Sequence, residues 1–158
     1  MMIKFLSDFK TTLDSAEKAL LIYTEEESLE PYNPGKWNKK EVISHLIDSA
    51  CINRFRFVTA QFKDDLVFST YNETDWVKAQ AASEQSWKFL VSFWKNYNHH
   101  LYHLLSSIPD EIVNRTVSKH NYDFICWKPI PADEPVTLKY LMHDYYSHLK
   151  HHLSQILT

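Results

Sequence analysis

At 158 residues, 44% hydrophobic and 15% aromatic, the chain is long enough for one packed domain and too apolar to be disordered. A single glycine, Gly35, excludes Gly-rich phosphate loops and argues against turn-rich all-β folds, while a formal net charge of −3 with no long basic run leaves no general nucleic-acid footprint. The first residues mix acidic with apolar side chains and do not read as a signal peptide, no apolar run approaches the roughly 18 residues of a membrane helix, and Cys51 and Cys126 read as reduced thiols of a cytoplasmic protein.

In chain order, Phe5, Leu6, Phe9, Leu13, Ala16, Leu20 and Ile22 recur at helical spacing and predict a first helix over about residues 3–26. The stretch "EPYNPGKW" breaks it, with Pro34-Gly35 as a turn. Asn38 is the expected N-cap of a second helix, and Glu41 three residues on completes a capping-box pattern. "STYNETDW" predicts a loop entering a short helix. A third long helix follows over about 83–108, with Ser83 as its expected N-cap. "DEIVNRTVSKHNYDFICWKPIPADEP" has several prolines and no 3.6-residue period, so it is expected to be a long connection with room for a short hairpin. Thr137 then caps a last helix to about residue 157. No repeat or internal boundary appears. The expected fold is all-α: one domain over residues 1–158, a four-helix bundle with a long connection before the last helix.

Nine histidines raise the question of a site. Each residue of a helix advances about 100°. In the last helix Leu138, Leu141, Met142, Tyr145, Leu149, Leu153 and Ile156 share a face. His152 lies about 40° from its centre and His148 about 80°, whereas His143 and His151 point to the other side. His148 and His152 thus form an i, i+4 pair at the core edge, the spacing that brings two imidazoles onto one ion. Hydrogen-bonded core-edge histidines satisfy the same pattern. The pair His99 and His103 in "HHLYH" has the same spacing but sits nearly opposite its helix's apolar face, and reads as solvated. Outside the third and last helices, His45 is the only histidine within a long helix. It flanks a face of Val42, Leu46, Ser49, Asn53, Phe57 and Ala60. It lies early in its helix while His148 and His152 lie late in theirs, so they meet only if the two helices run antiparallel.

Three segments carry a resemblance. "PYNPGKWNKKEVISHLIDSACINRFRF", with a P-G-x-W turn before H-L-x-D-S, "TYNETDWV", and the terminal "HLKHHLSQI" together resemble the DinB/YfiT-like superfamily. That resemblance implies a four-helix bundle holding one divalent metal through three histidines, here His45, His148 and His152, and a homodimer. Family members are described as metal-dependent hydrolases or as transferases of low-molecular-weight thiols such as bacillithiol or mycothiol. Three imidazoles leave open coordination positions, as in a catalytic site, and suit Zn²⁺, Ni²⁺ or another late first-row metal.

Asp48 and Asp144, each one turn from a candidate ligand, are expected to orient the imidazoles or to be solvated carboxylates. Arg56 follows His45 along the helix by about three turns and reads as solvated or ion-paired, with an anionic substrate group as the functional alternative. Tyr71 reads as packing, and the five tryptophans as core and rim filler. No catalytic nucleophile is evident. The leading expectation is a metal-dependent enzyme acting on a small molecule as a thiol S-transferase or hydrolase, without nucleic-acid or membrane partners. The alternative is a metal-binding stress or interaction protein without turnover; a pocket reaching the metal distinguishes the two.

Overall fold

The computed structural model describes residues 2–157, and they form a four-helix bundle with two long excursions. The bundle helices are α1 (Met2–Leu20), α2 (Lys39–Thr59), α4 (Trp87–Ser107) and α7 (Leu138–Ile156). The short helix α3 (Glu73–Ala79) lies between α2 and α4, and α5 (Asp110–Asn114) and α6 (Tyr122–Ile125) lie between α4 and α7. Two-residue strands β1 (Thr116–Val117) and β2 (Val136–Thr137) pair antiparallel, with Thr116 opposite Thr137, so the expected short hairpin becomes a clasp around a folded excursion.

Local chemistry sets most helix ends. Asn38 accepts from the Glu41 amide at 2.9 Å while the Glu41 carboxylate accepts from the Asn38 amide at 2.8 Å, a complete capping box. Thr137 accepts from the Tyr140 amide at 3.2 Å and starts α7 where expected. Two expected boundaries are corrected. The first helix stops at Leu20 rather than near residue 26: Thr24 and Glu27 exchange backbone-to-side-chain hydrogen bonds that open a separate 3₁₀ turn, and Ile22 stands 79% exposed with no core to hold it in a helix. Ser86, not Ser83, caps α4, accepting from the Phe89 amide; Ser83 instead accepts from the Asn38 side chain and ties the loop to the start of α2. Two residues before Ser83, Ala81 has φ of 48°, a left-handed turn that stops an earlier start.

Helix directions follow from paired residues. Asp14 with His99 and Glu17 with Lys95 run α1 against α4. Asn38 with Ser83 and Arg54 with His100 run α2 and α4 the same way. Phe5 with His143 and Thr12 with Tyr146 make α1 parallel to α7. His45 with His152 and Phe57 with Tyr145 make α2 antiparallel to α7. α1 packs against α4 and α7, and α2 against the same two, so the sequence neighbours α1 and α2 lie on a diagonal. The connection that must travel the length of the bundle is therefore the one between the parallel pair α2 and α4. The long connection before α7 joins antiparallel helices and crosses one end.

These two connections are stitched together at that end. The Leu66 amide donates to the Lys119 carbonyl at 2.9 Å, and the Asn121 side chain bonds both the amide and the carbonyl of Phe68. The core below them contains Phe9, Leu13, Phe57, Trp87, Trp94 and Leu101, all essentially inaccessible to solvent. Burying large aromatic side chains contributes about 1.5–3 kcal/mol each, which holds the four helices rigid around whatever they enclose.

Candidate metal centre

Along α2, His45, Ser49, Asn53 and Arg56 follow one another at intervals of four, four and three residues and share one face. All four are buried, with exposures of 1%, 4%, 7% and 4%. A buried polar row of this length is unusual, because each group gives up hydration and needs a partner. The row faces late α7 and lines a cavity of about 190 Å³, together with His148, Tyr71 and Trp127. Thr70 and Tyr71 come from the α2–α4 connection, and residues 124–127 from the excursion before α7. The stitched connections therefore form the cavity wall.

At one end of the cavity the three expected histidines converge. His45 Nε2 lies 3.1 Å from His148 Nε2, and His152 Nε2 lies 3.1 Å from the same atom. His45 and His148 line the cavity, while His152 stands behind them, outside its lining. Imidazole nitrogens bound at about 2.0–2.1 Å to one ion are separated by about 2.9 Å at right angles and about 3.3 Å in a tetrahedron. The observed separation falls between these values. An unprotonated ring nitrogen has one lone pair, so His148 Nε2 cannot make two full hydrogen bonds to neighbours of its own kind. A cation accepts all three lone pairs at once, so the donor set fits a divalent metal.

The site keeps its histidines neutral. Burial pushes His45 down to about 3, with the neighbouring His152 adding to the effect. Burial pushes His148 to about 2, helped by His152, His45 and His151. His152 is lowered by burial, partly offset by its bond to Gln155. Neutral imidazole is the form that binds metal. Among the described residues no other group of three or more His, Cys, Asp or Glu side chains converges in this way.

The groups behind the imidazoles differ from expectation. Asp48 accepts two bonds from the Gln80 side chain at 3.0 and 2.8 Å, and Asp144 accepts the Trp127 and Lys128 amides at 2.9 Å each. Asp144 thus anchors the cavity wall. Both carboxyls are raised by burial, a shift their hydrogen bonds only partly oppose. His152 Nδ1 instead meets Gln155 Oε1 at 2.8 Å, and His148 Nδ1 lies 3.5 Å from the Ser49 hydroxyl. His45 Nδ1 has no partner and its ring packs on Trp37. Gln155, one turn beyond His152, is legible from its spacing in the sequence, whereas Ser49 carries no local signal beyond its place on the helix face.

The remaining histidines are elsewhere. His99 bonds Asp14 at 2.9 Å and His103 is exposed; both lie on α4, away from the cluster. His143 packs on Phe5, and exposed His151 lies against Trp127. Arg56 is neither solvated nor ion-paired: it is 4% exposed, and its one hydrogen bond runs from Nη2 to the Ser69 carbonyl at 3.2 Å. Cys51 and Cys126 are free thiols, exposed and buried respectively. No helix of the described residues is long and apolar enough to cross a membrane.

Comparison with known proteins agrees with this architecture. The chain is 35% identical over 69 residues to the Halalkalibacterium halodurans protein "Putative metal-dependent hydrolase BH0277", a match spanning 43% of this chain and 40% of that relative's length. Its fold is that of YfiT from Bacillus subtilis, whose structure is described as an unusual four-helix bundle topology: the TM-score is 0.80 at 19% identity, over 98% of this chain and 83% of the other. The sequence model of the DinB superfamily matches residues 8–156, nearly the whole chain. With the diagonal placement of α1 and α2 and the three converging histidines already in view, that match establishes that the chain belongs to the DinB superfamily.

Proposed function

We propose that the protein is a metal-dependent enzyme acting on a small molecule, with His45, His148 and His152 holding one divalent ion, Zn²⁺ or Ni²⁺. The carrying observation is the placement of three neutral imidazole nitrogens, 3.1 Å apart in successive pairs, at the end of a cavity about 190 Å³ in volume. An ion at three histidines supplies Lewis acidity, lowering the pKa of a thiol or water at an open position into the neutral range. The chain's own side chains do the rest. Rigid helices fix the imidazoles, Gln155 sets the tautomer of His152, and the wall anchored by Asp144 limits water entry.

Transfer of a low-molecular-weight thiol is the preferred chemistry. Hydrolysis calls for a base to move protons from water, and the two buried carboxylates nearest the ligands in sequence are both committed to other donors. Glu73, exposed at the cavity edge, is among the described residues the lining carboxylate without a hydrogen bond or ion pair, and with the name of the Halalkalibacterium halodurans relative it keeps hydrolysis as the second reading. A pocket that reaches His45 and His148 favours turnover over a metal-binding role without catalysis. The free thiols suit a cytoplasmic protein.

Elemental analysis of purified protein, followed by assays with several small thiols and electrophiles, tests this reading. One equivalent of metal and thiol transfer that fails in His148→Ala support it. Absence of stoichiometric metal after incubation with zinc and nickel overturns it.

A further inference from the structure

The far end of the same cavity holds an unmatched pair of polar groups. Arg56 is 96% buried by its 4% exposure, lines the cavity, and has no hydrogen-bond partner for Nε. None of the ion pairs among the described residues involves it. One turn earlier, Asn53 donates from Nδ2 to the Ser49 carbonyl at 2.9 Å, which fixes its amide and leaves Oδ1 buried without a partner. A guanidinium almost wholly withdrawn from the surface, with a single hydrogen bond from Nη2 and a buried Nε left unpaired, is costly, and proteins retain such groups for a ligand more readily than for stability.

We propose that this end of the cavity is a subsite for the carboxylate of a small acid, gripped by Arg56, with an adjacent hydroxyl or amino group of the acid donating to Asn53. The inference rests on the metal-site reading only for the reacting end of the molecule, which points to the histidines. Arginine matches the planar carboxylate geometry. Asp144 and Glu73 line the same cavity, so a monoanion meets less repulsion there than a phosphate dianion. The volume is small: about 190 Å³ corresponds to about six waters at 30 Å³ each. Burial lowers the Arg56 pKa, and the nearby Tyr71, Cys126, Tyr122 and Asp144 act against that shift; a guanidinium stays cationic in proteins and so is available to an acid. Tyr71, whose hydroxyl is raised well above the ordinary phenol range by burial, stays protonated and lines the cavity beside it.

The test uses chelator-treated and zinc-loaded full-length protein, with glycolate, acetate, neutral methyl glycolate and inorganic phosphate as probes, measured by calorimetry or ligand-observed NMR. Glycolate is expected to bind the metal-free protein, and Arg56→Met to weaken it at least about tenfold, the usual scale for a charge-assisted hydrogen bond. Asn53→Ala is expected to remove the preference for glycolate over acetate. Because Arg56 makes no ion pair among the described residues, Arg56→Met is expected to melt no lower than the parent protein, whereas a purely structural arginine would lower it. Unchanged glycolate binding in Arg56→Met, no glycolate binding to the metal-free parent, or methyl glycolate or phosphate binding as tightly as glycolate overturns the subsite. Zinc stoichiometry on the same samples separates the two ideas: retained zinc without Arg56-dependent binding rejects the subsite alone, and lost zinc with Arg56-dependent binding rejects the metal reading alone.

Discussion

Acidifying the metal-free protein probes the buried histidines through their linkage to stability. Burial holds His45 near 3 and His148 near 2 in the folded chain, with His152 the first neighbour lowering each further. In the unfolded chain a histidine titrates near 6.5. Between these values the unfolded chain holds protons that the folded chain excludes. The stability is therefore complete above about pH 6.5 and falls as pH drops through the window. From pH 7.5 to 5.5 the loss is about 1.4 kcal/mol per histidine, or about 2.7 kcal/mol for the two. That figure requires only that both folded values lie well below 5.5. Proteins of this size shift by about 2–4 °C per kcal/mol, so the melting temperature should fall by about 5–11 °C. His143 and His152, also lowered by burial, add to the fall. Asp48 and Asp144, raised by burial, oppose it as the carboxylate range is approached, which is why the window stops at pH 5.5. Calorimetry in chelator at three pH values measures the loss, and His148→Gln should reduce it by about half. A melting temperature flat from pH 7.5 to 5.5 refutes the neutral buried cluster.

The remaining expectations concern metal and assembly. His45→Ala, His148→Ala and His152→Ala should each abolish stoichiometric zinc or nickel binding, whereas His99→Ala and His151→Ala should not; full-affinity binding by His148→Ala, read by calorimetry, ends the three-ligand model. Metal at a hundredfold excess over Kd should add about 2.7 kcal/mol to stability. Unperturbed histidines would surrender that gain between about pH 6 and 5, but the lowered values keep protons from competing, so a thermal shift that vanishes by pH 5.5 would show the folded cluster to be more basic than its burial implies. The homodimer expected from the resemblance should run in light scattering at twice 18.8 kDa at micromolar concentration, and a monomer mass refutes it.

Periodicity and capping chemistry are local, so the sequence alone identified the four long helices, the Asn38 and Thr137 caps, and the inward orientation of His148 and His152 on α7. A helix's face follows from its own 100° step whatever it packs against. The end of α1 and the start of α4 were misjudged because Thr24–Glu27 and Ser83–Asn38 compete with helical continuation through contacts outside the helices. Whether His45 reached the other two depended on the direction of α2 relative to α7. No local signal encodes that direction; it follows from an α2–α4 connection that runs the length of the bundle and places parallel helices side by side. The burial of Arg56 had the same origin. On an isolated helix an arginine reads as solvated, and only the stitched connections that wall the cavity turn the row from His45 to Arg56 into the lining of a pocket.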